Sequence, residues 1–222
     1  MASWPLRAKI SAACLALFGL AMAAAMLSYP GGSWLHPHQP RFSLVENYWC
    51  DLLREPAHDG SPNARAVVLA TLGFAAISAS LLPFWLELAR LLPPRRALLL
   101  RVGGAVSSIA TALVALLPSD RFPNAHAPTV LTAGGLGFVC GCVGGAWALR
   151  HFRAMRWFAG ASLILVVLAS VNLGLYVAVA YFHGPDTIVL PVAQKLATVA
   201  LGGWMLAGLS ASARLSARLP KP

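Results

Sequence analysis

Six apolar runs, at residues 10–28, 66–90, 97–117, 129–149, 157–181 and 188–209, leave little freedom for the fold of this sequence. About 20 mostly apolar residues carry a helix across roughly 30 Å of hydrocarbon at about 1.5 Å per residue. Each run meets or approaches that length. Lipid offers no hydrogen bonds to exposed backbone, so runs of this kind must close theirs internally, as helices do. The expected fold class is therefore all-α, a polytopic membrane bundle of six transmembrane helices forming one domain over residues 1–222. Only 11% of residues are charged, against about 25% in soluble proteins.

The first run follows Arg7 and Lys9, and Ala21-Met22-Ala23 resembles a signal-peptide cleavage site. The run is longer than a signal core and more spans follow, which favours a retained helix. The net charge of +10 does not point to nucleic acid, because the basic residues sit in short clusters beside the apolar runs. With the N-terminus on the cytoplasmic side, twelve of the seventeen basic residues fall on that side: Arg7, Lys9, Arg90, Arg95, Arg96, Arg101, Arg150, Arg153, Arg156, Arg214, Arg218 and Lys221. The positive-inside rule then places both termini in the cytoplasm.

Three features inside the runs carry expectations. Pro83 should kink the second helix and leave Trp85 to Leu92 as an amphipathic interfacial turn. The fourth run holds Gly134, Gly135, Gly137, Gly141, Gly144 and Gly145, a spacing that lets helices approach closely and makes it the expected packing hub, or a face for a partner protein or second copy. Asn172, mid-way along the fifth run, should face protein and bond across helices. Of the cysteines, Cys14, Cys140 and Cys142 lie in apolar runs and only Cys50 in a loop, so no disulfide is expected.

The polar residues concentrate in three loops on the side away from the termini. The longest, residues 29–65, carries Glu46, Asn47 and Asp51; the second carries Asp120 and His126; the third runs from His183 to Asp186 and leads to Gln194 and Lys195. A lysine as deep as Lys195 must snorkel or pair, with Asp51 or Asp120 as the preferred partners. Glu46, Asp51 and His126 are the candidate catalytic groups, acid, base or ligand, and Asn47, Asp120, Gln194 and Lys195 the candidate binding groups. No HExxH and no histidine pair at i, i+4 appears, so neither a metal nor another cofactor is expected.

These residues also carry a likeness. Tyr29-Pro30-Gly31-Gly32-Ser33, Phe42-Ser43, Asn47-Tyr48-Trp49-Cys50-Asp51-Leu52, the loop from Pro118 to His126, and Gln194-Lys195 make the chain resemble the six-helix membrane proteins grouped as domain of unknown function 998. A looser similarity extends to the Frag1/DRAM/Sfk1-type membrane proteins. A fainter one links it to intramembrane metal hydrolases related to alkaline ceramidases, whose late-helix histidine pair is missing here. The first resemblance implies a multipass protein of a bacterial plasma membrane and no established activity. Cys50 stands where that family usually has serine, which argues against a nucleophile there. Three functions follow: a bundle that binds membrane lipids or a partner protein through a polar outer-leaflet pocket; a hydrolase or transferase acting on lipid or lipid-linked substrates; or a small transporter.

Overall fold

A computed structural model describes residues 4–184 and 187–216. Pro185 and Asp186 of the third loop, Arg218, Lys221 and the side chain of Arg153 lie outside the described residues. Six helices, α1 (Leu6–Ser28), α2 (Ala64–Ala89), α3 (Pro94–Leu116), α4 (Pro123–Arg150), α5 (Phe152–Phe182) and α6 (Val189–Ser216), are each long and apolar enough to cross a membrane. The chain is an all-α multipass bundle.

Helix ends follow local chemistry. Prolines 94 and 123 occupy the first turns of α3 and α4, where a missing N–H costs nothing, so both helices begin ahead of their apolar runs. Tyr29, held extended by the proline after it, stops α1. His183, with a φ of 53°, ends α5 in a left-handed cap.

Successive helices pack as antiparallel neighbours, and α6 returns to touch α2 and, more lightly, α1, which closes the bundle; α5 is the least buried. Ser11 and Ser80 bind each other's carbonyl oxygens at 2.7 and 2.9 Å and staple α1 to α2. Four rings make the core of the half away from the 29–63 loop: Phe84, Trp85, Phe158 and Trp204, each at most 1% exposed, with Trp204 4.9 to 5.6 Å from the other three. Trp85 needs Gly104, since a Cβ there would meet its ring at 2.3 Å.

Two expectations about the helices change. α2 runs unbroken through Pro83 to Ala89, and Trp85, Glu87 and Leu88 are buried in the bundle instead of lying at the interface. Packing against α3 and α6 outweighs the one backbone bond that Pro83 forgoes. On α4 the glycines divide. A Cβ at Gly137, Gly144 or Gly145 would come within 2.9 to 3.0 Å of Ser107, Leu88 and Ser162, but one at Gly134, Gly135 or Gly141 would meet nothing within 4 Å. Half of this stripe packs helices; the other half faces space.

Candidate functional site

The 29–63 loop is a folded cap. Gly31 bridges Pro40, and Gly32 N–H donates to Gln39 O at 2.9 Å, doubling the chain back on itself. Gly32 has a φ of +82°, and a Cβ there would strike the backbone of Asp59 at 2.5 Å, so only glycine lets the two segments meet. Tyr29, Leu52, Leu53 and Ala57 form a small apolar core with Met22, Ala25, Ala66 and Ala70 of α1 and α2. This core clamps the cap onto the bundle.

Asn47 is the tie-point. It is fully buried, and its amide nitrogen donates to Gly32 O (2.8 Å) and Asp51 Oδ2 (3.0 Å), while its oxygen accepts from Gln39 Nε2 and Ser43 N–H, both at 2.9 Å. All four hydrogen-bonding positions of the amide are therefore filled. Asp51, on a single 3₁₀ turn (Trp49–Leu53), also accepts from Tyr48 N–H at 2.9 Å. Its other oxygen lies 3.2 Å from His58 Nε2, at ion-pairing distance but off the line of a good hydrogen bond. His58 was not among the candidates, because nothing in its sequence neighbourhood marks it as a partner of Asp51. Burial pushes the Tyr29 phenol up to about 12. The Cys50 thiol also rises to about 12, first through burial and then through the Asp51 charge.

The cap docks on α6 through two side chains foreseen in the sequence. Gln194 Oε1 accepts Trp49 N–H at 2.9 Å, and one turn on Thr198 Oγ1 accepts Trp49 Nε1–H at 3.1 Å. Lys195 donates to the carbonyl of Asn47 and to Pro191 O at 3.1 Å, with its ammonium over the rings of Phe42 (5.6 Å) and Trp49 (5.3 Å). The expected carboxylate partner is not the one used: Asp51 bears on Lys195 only through space, and Asp120 binds elsewhere. Two carbonyls and two aromatic faces satisfy the ammonium because Asp51 is already committed to Asn47, Tyr48 and His58.

The remaining candidates are spread over the cap. Glu46 accepts from Ser33 Oγ–H at 2.7 Å and lies 3.0 Å from His36 Nδ1, and these two neighbours hold its carboxyl below the usual value. Asp120 Oδ2 accepts Glu55 N–H at 3.2 Å, tying the α3–α4 loop to the cap, while its buried Oδ1 has no partner. His126 is turned toward Leu117 O, with Nδ1 at 2.7 Å. Among the described residues no hydrogen bond or ion pair joins His126 to Glu46 or Asp51, and no three His, Cys, Asp or Glu side chains gather as a metal ion requires. Asn47, Asp51, Gln194 and Lys195 meet; Glu46, Asp120 and His126 stand apart from them.

No family model, no curated protein and no solved structure matches this chain.

Under the cap lies a cavity of about 250 Å³, bounded by α2, α3, α4, α5 and α6 and partly open at the bundle surface. Gln194 and Thr198, the anchors of Trp49, line it, as do Gly134 and Gly141 with their open Cβ positions. Trp85 and Trp204 line its far end. From Gln194 to Trp204 is ten residues of α6, about 15 Å of depth. Two buried atoms on its wall, Asn172 Oδ1 and Trp85 Nε1, have no hydrogen-bond partner. Asn172 thus does not make the cross-helix bond expected of its side-chain oxygen. It faces the void left where α4 glycines replace larger side chains.

Proposed function

We propose that this protein binds a single-chain portion of a membrane amphipath in the cavity beneath its cap. The observation that carries the reading is the pair of orphaned polar atoms, Asn172 Oδ1 and Trp85 Nε1, in an otherwise apolar wall. A buried polar atom left unpaired costs about 1–3 kcal/mol, which a ligand supplying a donor to Asn172 and an acceptor to Trp85 recovers. Ligand sites are characteristically apolar clefts with a few placed polar groups. The volume exceeds the roughly 150 Å³ of an engineered cavity that takes up benzene, and the depth of about 15 Å matches half of a hydrocarbon core of about 30 Å. The amphipath therefore comes from the cap-side leaflet and carries its hydrogen-bonding groups past Gln194 to Asn172 and Trp85.

The cap serves in this reading as a roof, its carboxylates and amide consumed in holding its own shape. That favours binding over acid–base catalysis. The aromatic cluster standing under the cavity favours a dead-ended site over a passage. The arginine distribution supports a cap outside and both termini inside the cytoplasm of a bacterial inner membrane. Kinship with domain of unknown function 998 is part of the same proposal, resting on Asn47 to Leu52 and Gln194-Lys195.

The test is native mass spectrometry of the purified protein. A bound amphipath should accompany the wild type, and Gly141→Leu, which fills the void from a position with open space around its Cβ, should lose it while keeping its melting temperature. A wild type that carries nothing above detergent background, or a variant that keeps the ligand, would overturn the proposal.

A further inference from the structure

At the end of the bundle opposite the cap, α5 and α6 enclose a second cleft of about 520 Å³. This falls inside the roughly 300–1,000 Å³ typical of ligand sites. Its polar lining comes from Arg156 on α5 and Ser210 and Arg214 on α6, beside Trp157, with Phe158 and Ala211 behind. α5 is bent here: Met155, also on the cleft wall, has a φ of −134°, outside the helical range.

The charges in this cleft are all of one sign. Both arginines are exposed, and among the described residues neither meets a carboxylate; Arg156 rests on the Trp157 ring at 5.4 Å. Two guanidinium groups on facing helices offer planar forks that match phosphate oxygens two at a time. The level in the membrane is also defined. Arg214 lies nineteen residues along α6 from Lys195, about 28 Å, so with Lys195 at one edge of the hydrocarbon Arg214 reaches the other. Trp157, 70% exposed, sits at this level, where amphipathic rings favour the interface.

We propose that this cleft binds the phosphodiester headgroup of an anionic phospholipid from the leaflet opposite the cap. Arg156 and Arg214 hold the phosphate oxygens and Trp157 lies among the glycerol and upper acyl groups. A headgroup with net negative charge is favoured over a zwitterionic one because the described residues lining the cleft offer cations and no acid to receive a choline or ethanolamine. The inference does not depend on the cap-side cavity.

The experiment titrates the full chain in neutral detergent with phosphatidylglycerol, phosphatidylcholine or soluble glycerol phosphate, following melting temperature and bound mass. Phosphatidylglycerol should raise the melting temperature and remain bound one per chain, and phosphatidylcholine should do neither. With each basic residue near the surface adding about 1 kcal/mol, the double variant Arg156→Gln/Arg214→Gln should bind phosphatidylglycerol on the order of 30-fold more weakly. Arg214→Lys, which keeps charge and loses the fork, should fall between. The Gly141→Leu variant should bind phosphatidylglycerol as the wild type does. Equal binding of the two lipids, an unchanged affinity in the double variant, or an equal response to soluble glycerol phosphate would each overturn the proposal.

Discussion

Replacing Asn47 by aspartate tests how the cap is held. The side chains are isosteric, so no void forms; only the amide nitrogen changes, from a donor to an acceptor. That nitrogen serves Gly32 O at 2.8 Å and Asp51 Oδ2 at 3.0 Å, both buried. Each acceptor left unpaired costs about 1–3 kcal/mol, and the new oxygen faces the Asp51 carboxylate. Together these amount to about 3–5 kcal/mol at neutral pH, the loss seen when a buried polar pair is broken. For a chain of this size, about 2–4 °C per kcal/mol gives a fall of about 6–20 °C. The sign with pH is also set. Beside Asp51 the new carboxyl has a folded pKa above its unfolded value of about 3.9, so stability is retained below that value and lost as pH rises through the folded one. A protonated carboxyl has one donor for the two acceptors, so Asn47→Asp should melt below the wild type at pH 4 by the cost of one unpaired acceptor and much further below it at pH 8. Asn47→Ala should show a deficit without that slope. Thermal unfolding in detergent, with tryptic cleavage at the cap's Arg41 and Arg54, reads both effects. A variant within a degree of the wild type at pH 8, or a deficit that ignores pH, would refute the assignment of Asn47 as the cap's tie-point.

Two further outcomes follow from the cap's electrostatics. The Cys50 thiol, raised to about 12 by burial, should resist maleimide at pH 7.5 in a chain whose other cysteines are alanine and label fully once unfolded in dodecyl sulfate; native labelling as fast as a free thiol would contradict the packing of the 3₁₀ turn. Ser33 and His36 depress the Glu46 carboxyl, so its contribution is present above the unfolded value of about 4.3 and lost as pH falls through the lower folded value. Stability curves of wild type and Glu46→Gln should accordingly converge on acidification, and curves that stay parallel down to pH 2 would remove Glu46 from the account.

What the sequence by itself determined is whatever depends on neighbours along the chain. Six crossings follow from run length and hydropathy, although the runs starting at 97 and 129 missed the helix starts at Pro94 and Pro123, where proline fits the first turn. The attachment of the cap to α6 was legible too, because a lysine as deep as Lys195, with Gln194 beside it, must find a partner. Which partner it finds was decided elsewhere. Asp51 is only four residues from Asn47, yet the ammonium reaches the Asn47 carbonyl, since His58, some way along the loop, folds back to occupy the carboxylate. The cavity lay further out of reach. Gly137 and Gly141 share one spacing rule and both line the cavity, but a Cβ at Gly137 would crowd Ser107 and one at Gly141 would meet nothing, a difference set by where α3, α5 and α6 stand around α4. A helix records its own length and faces in its residues; the distance to the next helix belongs to the packing of the whole bundle.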